Sequence, residues 1–129
     1  MVPPLREALS RNTIAALAFS TAMAALLASG CKPALPPGKP IAELTPQESA
    51  GYSVFQQKCA RCHNAYSSHA LHGPSLEGVL RQPYLPSGAA ANDERIRATV
   101  LHGRGMMPAF GNELSDADLA ALIAYLHTL

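Results

Sequence analysis

The sequence predicts an all-α domain of about three to four helices. Three segments open with side chains that cap helix N-termini, at Thr45, Asn92 and Ser115. Apolar residues inside these segments recur at intervals of three and four, which places them on one helix face. No run of alternating apolar and polar residues predicts a strand.

The first helix is expected to begin at Thr45-Pro46-Gln47-Glu48, a capping box with proline at the first helical position. It should run to about Lys58. Gly51, Phe55 and Cys59 follow at four-residue spacing and therefore share a face. Glycine inside a helix costs about 1 kcal/mol relative to alanine. We therefore expect another helix to cross closely at Gly51.

The next helix is expected to begin near Asn92-Asp93 and to end at Gly103, with Ile96, Val100 and Leu101 facing inward. The last helix begins at Ser115, with Asp118 three residues later as the second half of its cap. An apolar stripe follows, formed by Leu119, Leu122, Ile123, Leu126 and Leu129, with Tyr125 beside it. This helix is the expected partner of the first one.

The N-terminal segment, residues 1–30, is typical of an export signal. Arg6 and Arg11 precede an apolar run at 13–27, which is shorter than the roughly 20 residues that a membrane-spanning anchor needs. The run leads into Ser29-Gly30-Cys31, which resembles a bacterial lipoprotein signal in which Cys31 receives a lipid. Ala28 departs from that pattern, since a larger aliphatic residue is usual there. The alternative is simple cleavage that leaves a free thiol, and either route predicts a protein on the periplasmic side.

Residues 31–44 form a proline-rich linker, and residues 45–129 form the predicted globular domain. The linker carries Pro33, Pro36, Pro37 and Pro40. Such a segment favours extended polyproline structure, and at about 3.1 Å per residue it would make a tether of roughly 40 Å. If Cys31 is lipidated, the tether would hold the domain near a membrane; the alternative is a disordered tail with no role.

The chemical centre of the sequence is Cys59-Ala60-Arg61-Cys62-His63. Two thiols at this spacing can add to the two vinyl groups of a haem, and the adjacent histidine can bind the iron from one face. Two alternatives compete with it. A zinc site could combine both cysteines with His69 and His72, although these histidines follow closely for a zinc finger. A thioredoxin-like pair would need a strand and helix around it, which the pattern does not predict. Because thioether bonds and a lipid would use all three cysteines, we expect no disulfide.

A second axial ligand must come from the C-terminal side of the motif. Its candidates are Met106, Met107, His69, His72, His102 and His127. We choose Met107, because it precedes Pro108 in a glycine-rich loop between two helices that can bring a thioether over the iron. The neighbouring Met106 and the histidines are expected to be packing, capping or surface residues.

From Gly51 onward the chain resembles the class I cytochrome c family, with Gly51 and Phe55 on the first helix and Leu122 and Tyr125 on the last. The resemblance implies a small cytochrome c fold around one covalent haem c, with His63 and Met107 as axial ligands. In that family the carbonyl of the residue matching Pro74 accepts a hydrogen bond from the haem histidine. The resemblance also implies that Leu76 packs on the haem and that Arg81 meets a propionate, although Leu80 replaces the glycine often found before that arginine.

These features predict an electron carrier that passes electrons between redox proteins at or near the membrane, and not an enzyme. The alternatives are a haem subunit fixed in a larger oxidoreductase and a five-coordinate haem that binds small ligands. Lys58, Arg61 and Arg104 could form a basic rim that attracts an acidic redox partner. Without residues 1–30, which contain Arg6, Arg11 and Glu7, the ten basic and nine acidic residues become eight of each. This balance argues against a nucleic-acid partner.

Overall fold

The computed structural model describes residues 38–129 and contains three α-helices. A short 3-10 helix, Ile41–Glu43, precedes α1 at Pro46–Lys58, α2 at Asp93–His102 and α3 at Asp116–Leu126. Over these residues no strand forms, and only two isolated bridges pair extended backbone. The predicted all-α fold and the order of its helices are confirmed.

Each helix begins at a predicted cap. The side chains of Thr45, Asn92 and Ser115 accept hydrogen bonds from the backbone N–H three residues later, at 3.3, 2.8 and 3.1 Å. In α1 and α3 the box is complete, because the carboxylates of Glu48 and Asp118 accept the N–H of the capping residue. These hydrogen-bonded carboxylates hold their negative charge more readily. The pKa of Glu48 is lowered, chiefly by the Lys39 ammonium, and that of Asp118 by Ser115.

The centre of the fold is a close crossing of α1 and α3. A Cβ placed on Gly51 would overlap the backbone carbonyl of Ala121 and lie 2.8 Å from the Cβ of Tyr125. The rings of Phe55 and Tyr125 are 5.4 Å apart, and that of Tyr52 meets Tyr125 edge-on at 5.5 Å. The expectation that a second helix crosses at Gly51 is thus confirmed, and only a residue without a side chain permits the contact.

The apolar stripe of α3 supplies the largest share of the core. Its buried members are Leu119, Leu122, Ile123 and Leu126, with Leu129 just beyond the helix. From α2, Ile96 and Val100 are buried against this core while Leu101 is half-buried. Burial raises the pKa of the Tyr125 phenol, with the neighbouring Tyr66 a smaller cause. Its hydroxyl has no hydrogen-bond partner among residues 38–129.

Residues 38–44 differ from the extended tether expected at 31–44. The N–H of Lys39 donates to the carbonyl of Thr128 at 2.7 Å, and its ammonium pairs with Glu48 at 2.7 Å. Residues Ile41–Glu43 form a 3-10 turn and not an extended strand. The tether prediction is therefore wrong for Ile41–Glu43, a segment without proline, whereas Pro40 itself keeps extended backbone with φ −58° and ψ 142°.

The predicted signal at 1–30, Cys31 and the tether up to residue 37 lie outside the described residues. Within residues 38–129, no helix has the length and apolar character needed to cross a bilayer.

Candidate functional site

The Cys59–His63 motif forms a tight turn at the end of α1. Cys59 caps the helix, and its N–H donates to the carbonyl of Phe55 at 2.8 Å. The carbonyl of Cys59 then accepts the N–H groups of Cys62 and His63, at 2.9 and 3.0 Å. This turn keeps both thiols and the imidazole within one compact segment, Cys59 to His63.

Both cysteines are free thiols and half-buried. Burial raises the pKa of Cys59 to about 11, with the neighbouring Cys62 as a smaller cause. Cys59 also packs against the apolar core. A thiol with a raised pKa is unlike the electropositive, low-pKa cysteine of a thioredoxin-like redox pair.

The imidazole of His63 is fixed by Pro74. Its Nδ1 lies 2.7 Å from the carbonyl oxygen of Pro74. Because a carbonyl oxygen only accepts, Nδ1 must carry the proton, and the Nε2 of the neutral ring keeps its lone pair. This arrangement is common for a metal-binding histidine, since the bond sets the tautomer, orients the ring and increases its basicity.

Gly73 makes room for the ring. A Cβ at Gly73 would overlap the imidazole of His63 and lie 2.9 Å from its Nδ1. The N–H of Gly73 donates to the carbonyl of Cys62 at 2.8 Å, and that of Leu76 to the carbonyl of Asn64 at 2.8 Å. These backbone bonds fold the segment 73–76 against the motif on both sides of Pro74.

The loop that carries Met106 and Met107 begins at Gly103, where α2 ends. Arg104 and Met107 exchange two backbone hydrogen bonds of 3.0 Å each around Gly105-Met106. Gly105 has a φ of +58°, the conformation that the first central position of such a two-residue turn requires. Met107 is half-buried and packs against the core, whereas Met106 is 93% exposed.

The loop is also held to the end of α2. Phe110 and Gly111 donate their N–H groups to the carbonyls of Val100 and Leu101, at 2.9 and 3.1 Å. Gly103 has a φ of +72°, and a Cβ there would lie 2.6 Å from the carbonyl oxygen of Met107. The glycine therefore lets the Met107 backbone approach the helix terminus closely.

The other predicted site residues differ in burial. Leu76 is half-buried and packs against the core, while Arg81 is exposed. Of the expected basic rim, Arg61 and Arg104 are exposed, but Lys58 forms an ion pair of 2.7 Å with Glu113. Lys58 is therefore partly neutralised, which reduces its contribution to a basic surface.

The four histidines that competed as ligands are exposed: His69, His72, His102 and His127. His127 faces Asp93, with its Nε2 2.8 Å from a carboxylate oxygen. In the described part of the chain no three histidine, cysteine or acidic side chains come together as a metal site. The zinc alternative, which needs His69 and His72 beside the two cysteines, is not formed there.

The residues present do fit a haem. They provide two thiols, one imidazole whose Nε2 is available and one half-buried thioether, the donor set of a c-type haem. Half-buried apolar side chains at Cys59, Leu76 and Met107 would supply walls for an apolar ring.

Sequence reasoning missed the supporting residues Gly73 and Gly103, which enable contacts to His63 and Met107 without binding anything themselves. The sequence gives only weak indications of these two roles. Gly73 directly precedes the proline that bonds His63, and Gly103 was interpreted only as a helix end.

Comparisons with known proteins place the described domain among cytochromes. The family model described as cytochrome C oxidase, cbb3-type, subunit III matches residues 46–126. Cytochrome c6 of Picosynechococcus is 36% identical over 81 residues, covering 60% of this chain and 69% of that protein. The cbb3-type cytochrome c oxidase subunit FixP of Azorhizobium caulinodans is 36% identical over 88 residues, covering 66% of this chain but only 28% of FixP.

A solved structure of cytochrome c6 from the diatom Phaeodactylum tricornutum is also similar. Its identity is 30% and its TM-score 0.49, with 62% of this chain and 90% of that chain covered.

Proposed function

Because the chain belongs to the cytochrome c family described as cytochrome C oxidase, cbb3-type, subunit III, we propose that it transfers electrons through one covalent haem c with His63 and Met107 as axial ligands. The single observation that carries the proposal is the hydrogen bond of 2.7 Å between His63 Nδ1 and the Pro74 carbonyl. The bond leaves Nε2 as the atom that would bind the iron, and it holds the imidazole ring in a fixed orientation.

Cys59 and Cys62 are the proposed sites of haem attachment. Both are free thiols on one turn with His63, so two thioether bonds and one iron bond would come from the same short segment. Attachment at the end of α1 ties the cofactor to the crossing of α1 and α3. The rigid crossing would limit movement of the site during electron transfer.

Met107 is the proposed ligand on the opposite side. Its half-buried position, against 93% exposure for Met106, supports the choice between the two neighbours. A thioether ligand favours the reduced iron and gives a higher potential than a second histidine would. The hairpin bonds to Arg104 and the approach to Gly103 restrain the loop, so Met107 would keep its position in both oxidation states.

The remaining side chains would orient and shield the cofactor. Leu76 would pack on the ring, and Arg81 is the proposed partner of a propionate. A bound haem supplies a one-electron Fe(III)/Fe(II) couple. If His63 and Met107 both bind the iron, no coordination position would remain for a substrate, and we therefore propose a carrier and not an enzyme.

The test is the absorbance of the oxidised holoprotein in the far red, where a methionine-to-iron bond gives a weak band. We expect the band in the wild type, its loss in Met107→Ala and its retention in the matched control Met106→Ala. Loss of the band in Met106→Ala alone would assign the ligand to the neighbour. Carbon monoxide binding by the reduced wild type at neutral pH would instead favour a five-coordinate ligand-binding haem.

A fixed subunit in a larger oxidoreductase is the second candidate. It is favoured by the relatives FixP and the cbb3-type subunit CcoP of Azospirillum, of which this chain spans 28% and 27%. In both candidates the partners are redox proteins. Purification of the native protein distinguishes them, because a fixed subunit co-purifies in stoichiometric amounts with its oxidoreductase.

We further propose that the protein is exported and held at the periplasmic side of a membrane through a lipid on Cys31. The sequence pattern before Cys31 is its support. Wild-type protein should enter the detergent phase when cells are extracted, and Cys31→Ser should enter the aqueous phase with its haem intact. A wild type found in the aqueous phase would exclude the lipid.

A further inference from the structure

The hydrogen bond between His63 and Pro74 depends on how the chain from 63 to 76 is folded. Proline has no N–H, so Pro74 cannot anchor itself through its own backbone donor. Its neighbours hold it instead. Gly73 donates to the Cys62 carbonyl and Leu76 to the Asn64 carbonyl, both at 2.8 Å.

A side chain adds a third attachment directly after the proline. The hydroxyl of Ser75 donates to the carbonyl of Ser67 at 2.6 Å and accepts the N–H of Glu77 at 3.0 Å. Both distances lie in the range of good hydrogen bonds, and Ser75 is partly buried. The hydroxyl thus links the residue after Pro74 to Ser67, which lies in the chain shortly after the Cys59–His63 motif.

We propose that Ser75 is a positioning residue that sets the strength of the His63 to Pro74 hydrogen bond and thereby lowers the reduction potential of the site. This inference rests on the proposed function. The Ser75 Oγ restrains the peptide that follows the Pro74 carbonyl, so its removal lets that carbonyl turn away from Nδ1. A weaker bond makes the imidazole less basic, and a less basic ligand stabilises Fe(III) less.

The direction of the effect follows from this ligand chemistry. In Ser75→Ala the potential should move upward, because the oxidised state loses more stabilisation than the reduced state. At a solution potential equal to the wild-type midpoint, we expect the Fe(II) to Fe(III) ratio to rise from one to roughly three. This is smaller than the roughly 10- to 100-fold effects that are typical when a residue supporting a metal ligand is mutated. The proton on His63 Nδ1 should also exchange faster with water.

The experiment compares Ser75→Ala, Ser75→Thr and Ser68→Ala as holoproteins, with redox titration and NMR of the His63 ring proton. Threonine keeps the hydroxyl and should restore the wild-type ratio. Ser68 is exposed in the same loop and offers the same chemical change, so Ser68→Ala should leave both readouts unchanged. Chemical unfolding of each variant measures stability separately.

Two outcomes would overturn the inference. One is a Ser75→Ala protein that loses stability while its potential and proton exchange stay at wild-type values, which would make Ser75 structural only. The other is an equal shift in Ser68→Ala. If the wild type itself lacks the methionine-to-iron band, the axial assignment fails, whereas an intact band with an unshifted Ser75→Ala potential contradicts only the role of Ser75.

Discussion

The α1–α3 crossing and the two ligand loops, as we name the loops that carry the proposed ligands His63 and Met107, are stabilised in different ways. At the crossing, helices touch through Gly51 and the Phe55 and Tyr125 rings, and the contact is apolar and buried. In the loops, His63 and Met107 are held by backbone hydrogen bonds of half-exposed segments. Each region depends on glycine. Replacing the glycine at the crossing should lower the stability of the protein, whereas replacing a glycine in the loops should displace a proposed ligand.

The largest expected effect is at the crossing. Gly51→Ala should lower the free energy of unfolding by about 2 kcal/mol or more, because the new methyl group meets the Ala121 carbonyl and the helices must move apart. Helix propensity alone predicts the opposite sign, a gain of about 1 kcal/mol. Chemical unfolding of the holoprotein followed by circular dichroism gives the sign.

The matched control is Ser53→Ala on the exposed side of the same helix, where a change within about 0.5 kcal/mol is expected. A Gly51→Ala protein more stable than the wild type would mean that the crossing is not tight.

The next effect separates ligand geometry from backbone strain. Gly103 and Gly105 both have positive φ, at +72° and +58°, so alanine at either position is strained by about 1 kcal/mol or more. Only at Gly103 would the new Cβ meet the Met107 carbonyl, since a Cβ at Gly105 has nothing within 4 Å. We expect Gly103→Ala to lose most of the far-red methionine band and Gly105→Ala to keep it. Equal loss in both variants would attribute the effect to strain alone.

The smallest expected effect is the pH dependence of the stability that the α3 capping box contributes. The pKa of Asp118 is lowered from its ordinary value of 3.8 by its hydrogen bonds with Ser115. A carboxylate with a lowered folded pKa stabilises the protein above its unfolded pKa, and this stability is lost as pH falls through the folded value. Asp118→Asn should therefore be slightly less stable than the wild type at pH 7, and the difference should shrink as the pH falls below 3.8 and through the lowered pKa of the folded state.

Asp116→Asn, in the same first turn, provides the comparison, because it also removes a charge near the helix N-terminus. The unfolding midpoints of the two variants and of the wild type, measured between pH 7 and pH 3, give the stability differences. A difference for Asp118→Asn that stays constant across this range would show that its charge is not the cause.

Much of the helical frame could be predicted from sequence, because its signals are local. Thr45, Asn92 and Ser115 cap helices whose first turns lie beside them in the chain, and Gly51 marked a contact by being an unfavourable helix residue. The haem motif was equally local, since Cys59, Cys62 and His63 are near neighbours. Their roles at the haem stay predictions that the spectroscopy above tests.

The supporting contacts of the ligand loops could not be predicted in this way. Nothing near Ser75 indicates that its hydroxyl meets the carbonyl of Ser67, eight residues earlier. The same is true of Lys58, whose partner Glu113 lies 55 residues along the chain. Such pairs depend on how the loops close, and loop closure follows from the whole fold.

The hydrogen bond between Lys39 and Thr128 has a consequence for how this domain can be joined to others. It brings residues 38 and 129 into the same neighbourhood. Domains with adjacent ends tolerate insertion and circular permutation, because a short connection can bridge the gap. Joining residues 38 and 129 by a short linker and opening the chain at an exposed loop should therefore leave the hydrogen bonds around His63 and Met107 in place.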